Sequence, residues 1–160
     1  MKRKMSAGHT IGFIVSQMAG ALAGALPLLL WGAQGASIGF GNTVPQPGFD
    51  GLKAAFAGEV VTSFLLIAGI FFFTGHKKTR RYTPFLMPFL YCIMVYAEGR
   101  ISGTSTNPAR SFGPAAVSRI WTSYWLYCIA PLTGTLIAVF FFEMPFMWRW
   151  KTEIPKLYQR

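Results

Sequence analysis

The fold of this 160-residue chain is decided by a polar stretch between two long apolar runs, Thr104-Ser105-Thr106-Asn107-Pro108-Ala109-Arg110-Ser111-Phe112-Gly113-Pro114. Asn is a preferred N-cap residue and Pro is preferred at the first helical position, so a helix is expected to begin at Asn107. The helical pattern continues to about Ser118, which gives a length of roughly 16 Å, about half the thickness of the hydrocarbon core of a bilayer. The stretch therefore predicts a re-entrant half-helix over 107–118 that begins inside the membrane.

The apolar runs around this stretch are typical of membrane-spanning helices. Hydrophobic residues make up 52% of the chain and charged residues only 12%, and crossing a bilayer takes roughly 20 helical residues. Three runs reach that length, and a fourth reaches it with the residues at its two ends. We therefore predict an all-α membrane protein with four transmembrane helices and one half-helix, in a single domain over 1–160. The predicted spans are 10–33, 54–74, 83–99 and 120–142.

The formal net charge of +10 is concentrated on one side of the predicted helices. Eleven of the fifteen lysines and arginines fall in 1–5, 77–81 and 149–160, and these segments share one side if the chain crosses the membrane four times. Basic residues accumulate in the cytoplasmic segments of membrane proteins. We therefore predict a multi-pass protein of the cell membrane with both termini in the cytoplasm. The distribution accounts for the charge without a nucleic-acid partner.

The sequence shows no pattern that indicates enzymatic chemistry. Cys92 and Cys128 lie within predicted spans, where free cysteines usually behave as small apolar residues. No paired acids, metal-ligand cluster or nucleophile–base set stands out among the remaining residues. We therefore expect a protein that is not an enzyme and needs neither a cofactor nor a metal ion.

Glu59 is the carboxylate deepest in a predicted span. A buried carboxylate without partners is costly, so Glu59 is expected to accept hydrogen bonds. One interpretation is a brace that holds a loop through backbone amides, and the other is a member of a proton relay. Glu98 is expected at the interface end of the fourth run, which leaves no second acid or histidine to complete a relay. The brace is therefore the favoured interpretation.

The half-helix and the segment before it predict a path for neutral solutes. The open N-terminus of a half-helix presents free N–H groups and positive dipole to its surroundings. Residues 101–106 are rich in Gly, Ser and Thr, and in an extended conformation their carbonyl groups would supply acceptors. Arg110 lies one turn into the half-helix, and a charge at that depth is a functional candidate. This combination passes hydrogen-bonding neutral molecules and opposes cations.

Several segments resemble the aquaporin family, also called the major intrinsic proteins. The stretch 104–114 resembles the segment that carries the second Asn-Pro-Ala motif of that family. Segment 14–21 is similar to the family's third helix, 56–64 to its fourth and 127–134 to its sixth. The resemblance implies a partial aquaporin-like inverted-repeat fold and the passive transport of water or small neutral solutes.

The resemblance also implies roles for individual residues. Water-selective members usually have His at the position of Val95, whereas Ser111 and Ala115 match water channels rather than glycerol facilitators. The permeant therefore stays open between water and another small neutral solute. Glu59 corresponds to a buried glutamate of the family's fourth helix and would brace the loop. The implied pore and selectivity-filter residues are Asn107, Pro108, Ala109, Arg110, Thr104 and Val95.

The resemblance covers only part of the family's architecture. It corresponds to the third helix and the second repeat, without the first two helices or the first Asn-Pro-Ala motif, since Asn-Pro-Ala occurs once in this sequence. A pore of this type forms between two repeats. We therefore expect a channel component in the lipid bilayer, in an oligomer with a chain that supplies the missing repeat. The alternative is a truncated, non-conducting aquaporin-like protein that binds partners as a pseudo-subunit.

Overall fold

A computed structural model describes residues 5–48, 50–75 and 78–144, and this part of the chain is helical and contains no strand. The prediction of an all-α protein is therefore confirmed. Short 3₁₀ turns at Leu26–Trp31, Gly39–Gly41 and Arg80–Tyr82 connect the α-helices. The α-helices are α1 (Ala7–Ala25), α2 (Gly32–Ser37), α3 (Gly51–Gly75), α4 (Thr83–Glu98), α5 (Pro108–Ser118) and α6 (Tyr124–Glu143).

Three segments of the described chain are long and apolar enough to cross a membrane, namely Ala7–Ser37, Gly51–Gly75 and Tyr124–Glu143. The fourth predicted span corresponds to α4, which has 16 residues. Its length of about 24 Å falls short of the ~30 Å hydrocarbon core, and the 3₁₀ turn at Arg80–Tyr82 prolongs it on one side. The apolar helices define an integral membrane protein.

The first predicted span is a single run over 10–33, and the structure divides it. The α-helix ends at Ala25 and the chain continues as a 3₁₀ helix from Leu26. Pro27 explains the change, because a proline inside an α-helix removes one hydrogen bond and clashes with the preceding turn. The helix α2 then continues beyond residue 33, where the predicted span ends.

Glycines let pairs of helices approach closely around the loop that precedes α5. A Cβ atom at Gly134 of α6 would clash with the carbonyl oxygen of Val60 on α3. A Cβ atom at Gly113 of α5 would clash with the carbonyl oxygen of Ala21 on α1. Small residues commonly allow such close approach between membrane helices. The half-helix α5 packs closely on α1 and also contacts α6, which itself packs closely on α3.

One face of α4 carries large apolar side chains that other described residues leave uncovered. Phe85, Phe89, Ile93 and Tyr96 are between 65% and 92% exposed. Residues spaced by three and four positions lie on the same side of an α-helix. This face is suited to contact with lipid.

Candidate functional site

The half-helix α5 begins at the residue that the sequence predicted. Asn107 has an extended backbone conformation, and its side chain accepts a hydrogen bond from the Ala109 amide at 3.0 Å. Pro108 occupies the first turn, where its missing N–H group leaves no unpaired donor. The helix ends after Ser118, at the left-handed residue Arg119, and its 11 residues span about 16 Å. Capping at both ends therefore stabilises a helix half as long as a membrane span.

The segment that leads into α5 is not extended over 101–106, and that prediction is wrong. The amide of Ile101 donates to the Glu98 carbonyl at 2.8 Å, and the amide of Gly103 donates to the Gly99 carbonyl at 3.0 Å, so the segment starts as a tight turn. Thr104 and Thr106 then have φ values of 50° and 54°. A β-branched residue rarely adopts this left-handed conformation, which costs of order 1–3 kcal/mol. Contacts from elsewhere in the fold must hold the segment, called below the signature loop (residues 99–106).

Glu59 of α3 is fully buried and accepts hydrogen bonds from three residues of the signature loop. One of its oxygens, Oε1, accepts from the Ser102 hydroxyl at 2.5 Å and from the Ser105 amide at 2.6 Å. The other, Oε2, accepts from the Thr106 amide at 2.8 Å. A carboxylate with several donors is the arrangement that makes burial of the charge tolerable. These contacts support the predicted bracing role.

Glu98 is a second buried carboxyl group at the same loop, although the sequence pattern predicted it at the interface end of a span. Glu98 is only 5% exposed. It reaches back over the turn and accepts a hydrogen bond from the Thr104 hydroxyl at 2.6 Å. Glu98 is the last residue of α4, and a carboxyl group at a helix end is usually exposed. Helical periodicity does not reveal how the following turn folds back over it. One reason for rejecting a proton relay at Glu59 is thereby removed.

The predicted filter residues on either side of this turn have different environments. Thr104 is fully buried, its hydroxyl donates to Glu98, and its carbonyl accepts from the Tyr91 hydroxyl at 3.2 Å. In this conformation the hydroxyl is therefore not free to bind a solute. Val95 lies one turn before Glu98 on α4, and 42% of its surface is exposed.

Arg110 is half-buried in the first turn of α5. Its Nη1 atom donates to the carbonyl oxygen of Gly41 at 2.8 Å, which fixes the side chain against the connection between α2 and α3. Within the part of the chain that the structure describes, no carboxylate lies within ion-pair distance of it. Its positive charge and its remaining N–H donors are therefore available beside the N-terminus of α5.

A chain of hydroxyl groups joins the signature loop, α5 and the α2–α3 connection. The Ser105 hydroxyl contacts the Ser111 hydroxyl at 2.6 Å, and the Ser111 hydroxyl contacts the Thr43 hydroxyl at 2.6 Å. The Gln46 amide donates to the Ile101 carbonyl at 2.8 Å. The long connection thus packs onto the loop, a contact between distant segments that no local sequence pattern signals.

Not every carbonyl group of the signature loop accepts a hydrogen bond. The carbonyls of Ile101, Ser102 and Thr104 accept hydrogen bonds from Gln46, Tyr127 and Tyr91. Among the hydrogen bonds of the described residues, none ends at the carbonyl oxygen of Gly103 or Thr106. The segment that leads into α5 therefore retains backbone acceptors that a polar solute could use.

The fold and the site define a helical membrane protein with a re-entrant half-helix whose N-terminus carries a partly buried arginine. The family model described as "Major intrinsic protein" matches residues 1–142. The chain belongs to the major intrinsic protein family, as the sequence predicted.

The relatives show the same relationship over much of the chain. The chain is 32% identical over 155 residues to "Probable aquaporin PIP2-7" of Oryza sativa subsp. japonica, an alignment that covers 89% of this chain and 52% of the relative. It is 29% identical over 150 residues to "Aquaporin AqpM" of Methanothermobacter marburgensis, covering 88% and 61%. It is 47% identical over 88 residues to "Aquaporin TIP4-1" of Arabidopsis thaliana, covering 53% and 35%. The chain spans about half the length of the curated relatives it matches.

Proposed function

We propose that this chain forms one half of a channel that conducts water or another small neutral solute passively across a membrane. The observation that carries the proposal is the half-helix α5, whose N-terminus combines the positive end of the helix dipole with the guanidinium group of Arg110. The unpaired carbonyls of Gly103 and Thr106, in the segment that leads into α5, add hydrogen-bond acceptors. A neutral molecule can exchange hydrogen bonds with such a site, whereas a cation meets the charge of Arg110 and the helix dipole.

The proposed pore wall consists of Asn107, Pro108, Ala109 and Arg110, with Val95 on the neighbouring helix. Val95 makes this wall less polar than a histidine would, so the permeant is water or another small neutral solute. In this proposal Glu59 keeps the signature loop in its left-handed conformation and takes no part in solute binding. Its three hydrogen bonds to the loop support that role.

The second half of the channel is proposed to come from another polypeptide segment. Gly12, Gly20 and Gly24 of α1 have no other described atom within 4 Å of the position that a Cβ would take, so this face of α1 is open. Small residues at spacings of four favour close helix packing in lipid. We propose that the complementary half packs on this face, within an oligomer.

The proposed location is the cell membrane, with both termini of this sequence in the cytoplasm. Three exposed basic residues lie between α3 and α4, namely Lys78, Arg80 and Arg81. They support this orientation, because basic residues accumulate in the cytoplasmic segments of membrane proteins.

A non-conducting protein that binds partners is the second candidate. The open glycine face of α1 favours it as much as it favours a channel half, since helix packing alone would explain that face. The two candidates differ only in whether solute passes, so a permeability measurement discriminates between them.

The test of the proposed function is the Arg110→Val variant in liposomes that also contain a complementary half. Removal of the charge and of the bulky side chain should let larger neutral solutes and some cations leak, while water flow persists or rises. The leak should be partial, because the helix dipole still opposes cations. Arg80→Val is the matched control, because Arg80 is exposed and lies before the first residue of α4, at the opposite end of that helix from α5. It should keep wild-type selectivity. Flow at the bare-lipid rate for every variant would favour the non-conducting candidate.

A further inference from the structure

Glu98 has an environment that its place at the end of α4 does not explain. Its Oε2 atom accepts one hydrogen bond, from the Thr104 hydroxyl at 2.6 Å. Its Oε1 atom is buried and has no hydrogen-bond partner among the described residues. A carboxyl group at a helix end could otherwise turn towards solvent, where both oxygens would be hydrated. The fold therefore keeps Glu98 inside for the contact with Thr104.

The fold also makes room for this carboxyl group. A Cβ atom at Gly58 of α3 would lie 2.7 Å from Glu98 Oε1 and 2.9 Å from its Cγ atom. A residue larger than glycine at this position would displace the carboxyl group from the loop. Gly58 precedes Glu59 in the sequence, so two successive residues of α3 serve the same loop, one by accepting hydrogen bonds and the other by leaving space.

Thr104 is the residue on which these contacts converge. Its amide donates to the Ser102 hydroxyl at 3.1 Å, its carbonyl accepts from Tyr91, and its hydroxyl donates to Glu98. All three polar groups are thus engaged while the residue has a φ of 50°. Without Glu98 the hydroxyl would lose its acceptor, and a strained backbone would lose one of its three anchors.

We propose that Glu98 is a specificity-determining positioning residue, which takes the Thr104 hydroxyl out of the solute pathway and holds the neighbouring Gly103 carbonyl in place. The effect on selectivity rests on the proposed channel function, whereas the contact with Thr104 does not. Loss of Glu98 releases a hydroxyl donor and acceptor beside the carbonyls of Gly103 and Thr106. Polar solutes larger than water then gain a hydrogen-bonding partner, so the ratio of solute to water permeability rises.

The test combines two substitutions of Glu98 with removal of the Thr104 hydroxyl. Glu98→Met has a similar volume and no oxygen, whereas Glu98→Gln keeps an acceptor for the hydroxyl. Each is measured in the full chain with a complementary half, alone and together with Thr104→Val. We expect Glu98→Met to raise the glycerol-to-water permeability ratio by about twofold or more. A twofold change corresponds to about 0.4 kcal/mol, close to the lower end of the coupling between side chains in contact. Glu98→Gln should leave the ratio close to the wild-type value, because its side-chain oxygen can still accept from the Thr104 hydroxyl.

The double variant tests whether Glu98 acts through the Thr104 hydroxyl. In a chain that carries Thr104→Val, the further change Glu98→Met should alter the glycerol-to-water permeability ratio little, because no hydroxyl remains to be released. An equal effect in both backgrounds would overturn the proposal, since Glu98 would then act on the pore by packing alone. The absence of any effect of Glu98→Met on a conducting wild type would overturn it as well.

A second measurement does not depend on conduction. In detergent-solubilised chain with ¹³C-labelled threonine, the Thr104 Cα and Cβ shifts report its backbone conformation. They should move towards extended values in Glu98→Met and in Gly58→Ala, and stay close to wild type in Glu98→Gln. If Glu98→Met does not fold, Gly58→Ala carries the test, because its methyl group displaces the same carboxyl group. Unchanged Thr104 shifts in the variants that fold would overturn the proposal, whereas moved shifts in a chain that never conducts would refute only the channel function.

Discussion

Replacement of Glu59 with glutamine tests whether this side chain braces the signature loop. In the more favourable orientation the glutamine oxygen keeps the bonds to Ser102 and Ser105, and its NH₂ group then faces the Thr106 amide, which is also a donor. One hydrogen bond to a charged group is lost, worth about 1.5–3 kcal/mol, and a buried N–H group is left unpaired at about 1–3 kcal/mol. The expected loss of unfolding free energy is therefore about 2.5–6 kcal/mol, a large part of the ~5–15 kcal/mol that stabilises an ordinary fold.

The measurement is the unfolding free energy of purified protein in detergent, together with the yield of folded chain. Asp50→Asn is the matched control, because the Asp50 side chain is 75% exposed and pairs only loosely with Lys53 at 3.6 Å. It should lie within about 0.5 kcal/mol of wild type, as surface substitutions usually do. A Glu59→Gln protein that is as stable as the control would refute the brace. If its proton flux in liposomes also changed, a relay that includes Glu98 would replace the brace.

Two further predictions concern topology and packing. Single cysteines placed next to Lys78 should react with impermeant reagents only from the cytoplasmic side, and those next to Asn42 only from outside. A cysteine next to Lys156, which lies outside the described residues, should also react from the cytoplasmic side. Equal labelling of each site from both sides would refute the proposed orientation. Gly134→Ala should destabilise the chain by about 1–3 kcal/mol through overpacking against Val60, whereas Gly20→Ala, which meets no described atom, should be neutral or slightly stabilising in the isolated chain. Equal effects of the two alanines would contradict the assignment of Gly134 to a tight helix contact.

Local chemistry made the half-helix predictable from the sequence. Asn107 and Pro108 act within one turn of their own positions, so their capping preferences determine where α5 begins whatever surrounds it. The apolar runs were equally informative, because the length of a helix needed to cross lipid is fixed by the bilayer. The helical class and the half-helix were therefore available before any tertiary contact was known.

The contacts that hold the signature loop could not be predicted in the same way. Glu98 and Thr104 are six residues apart, and their contact depends on the tight turn between them and on the space left by Gly58. The hydroxyl contact between Thr43 and Ser111 joins segments 68 positions apart. Such pairs follow from the way α3, α4 and the α2–α3 connection pack, and no periodic pattern records that packing. Pro27 is a local signal of a different kind, and it marks the change from α1 to a 3₁₀ helix.

The central claim is that α5 and Arg110 form half of a solute pathway that becomes complete only with a second half. The most direct measurement is the osmotic shrinkage of liposomes by stopped-flow light scattering, with this chain alone and with the amino-terminal half of a full-length family member. We predict shrinkage at the bare-lipid rate for the chain alone, and faster shrinkage with a low activation energy once the second half is present. Fast shrinkage with the chain alone would contradict the need for a second half, and bare-lipid rates in both preparations would contradict the channel itself.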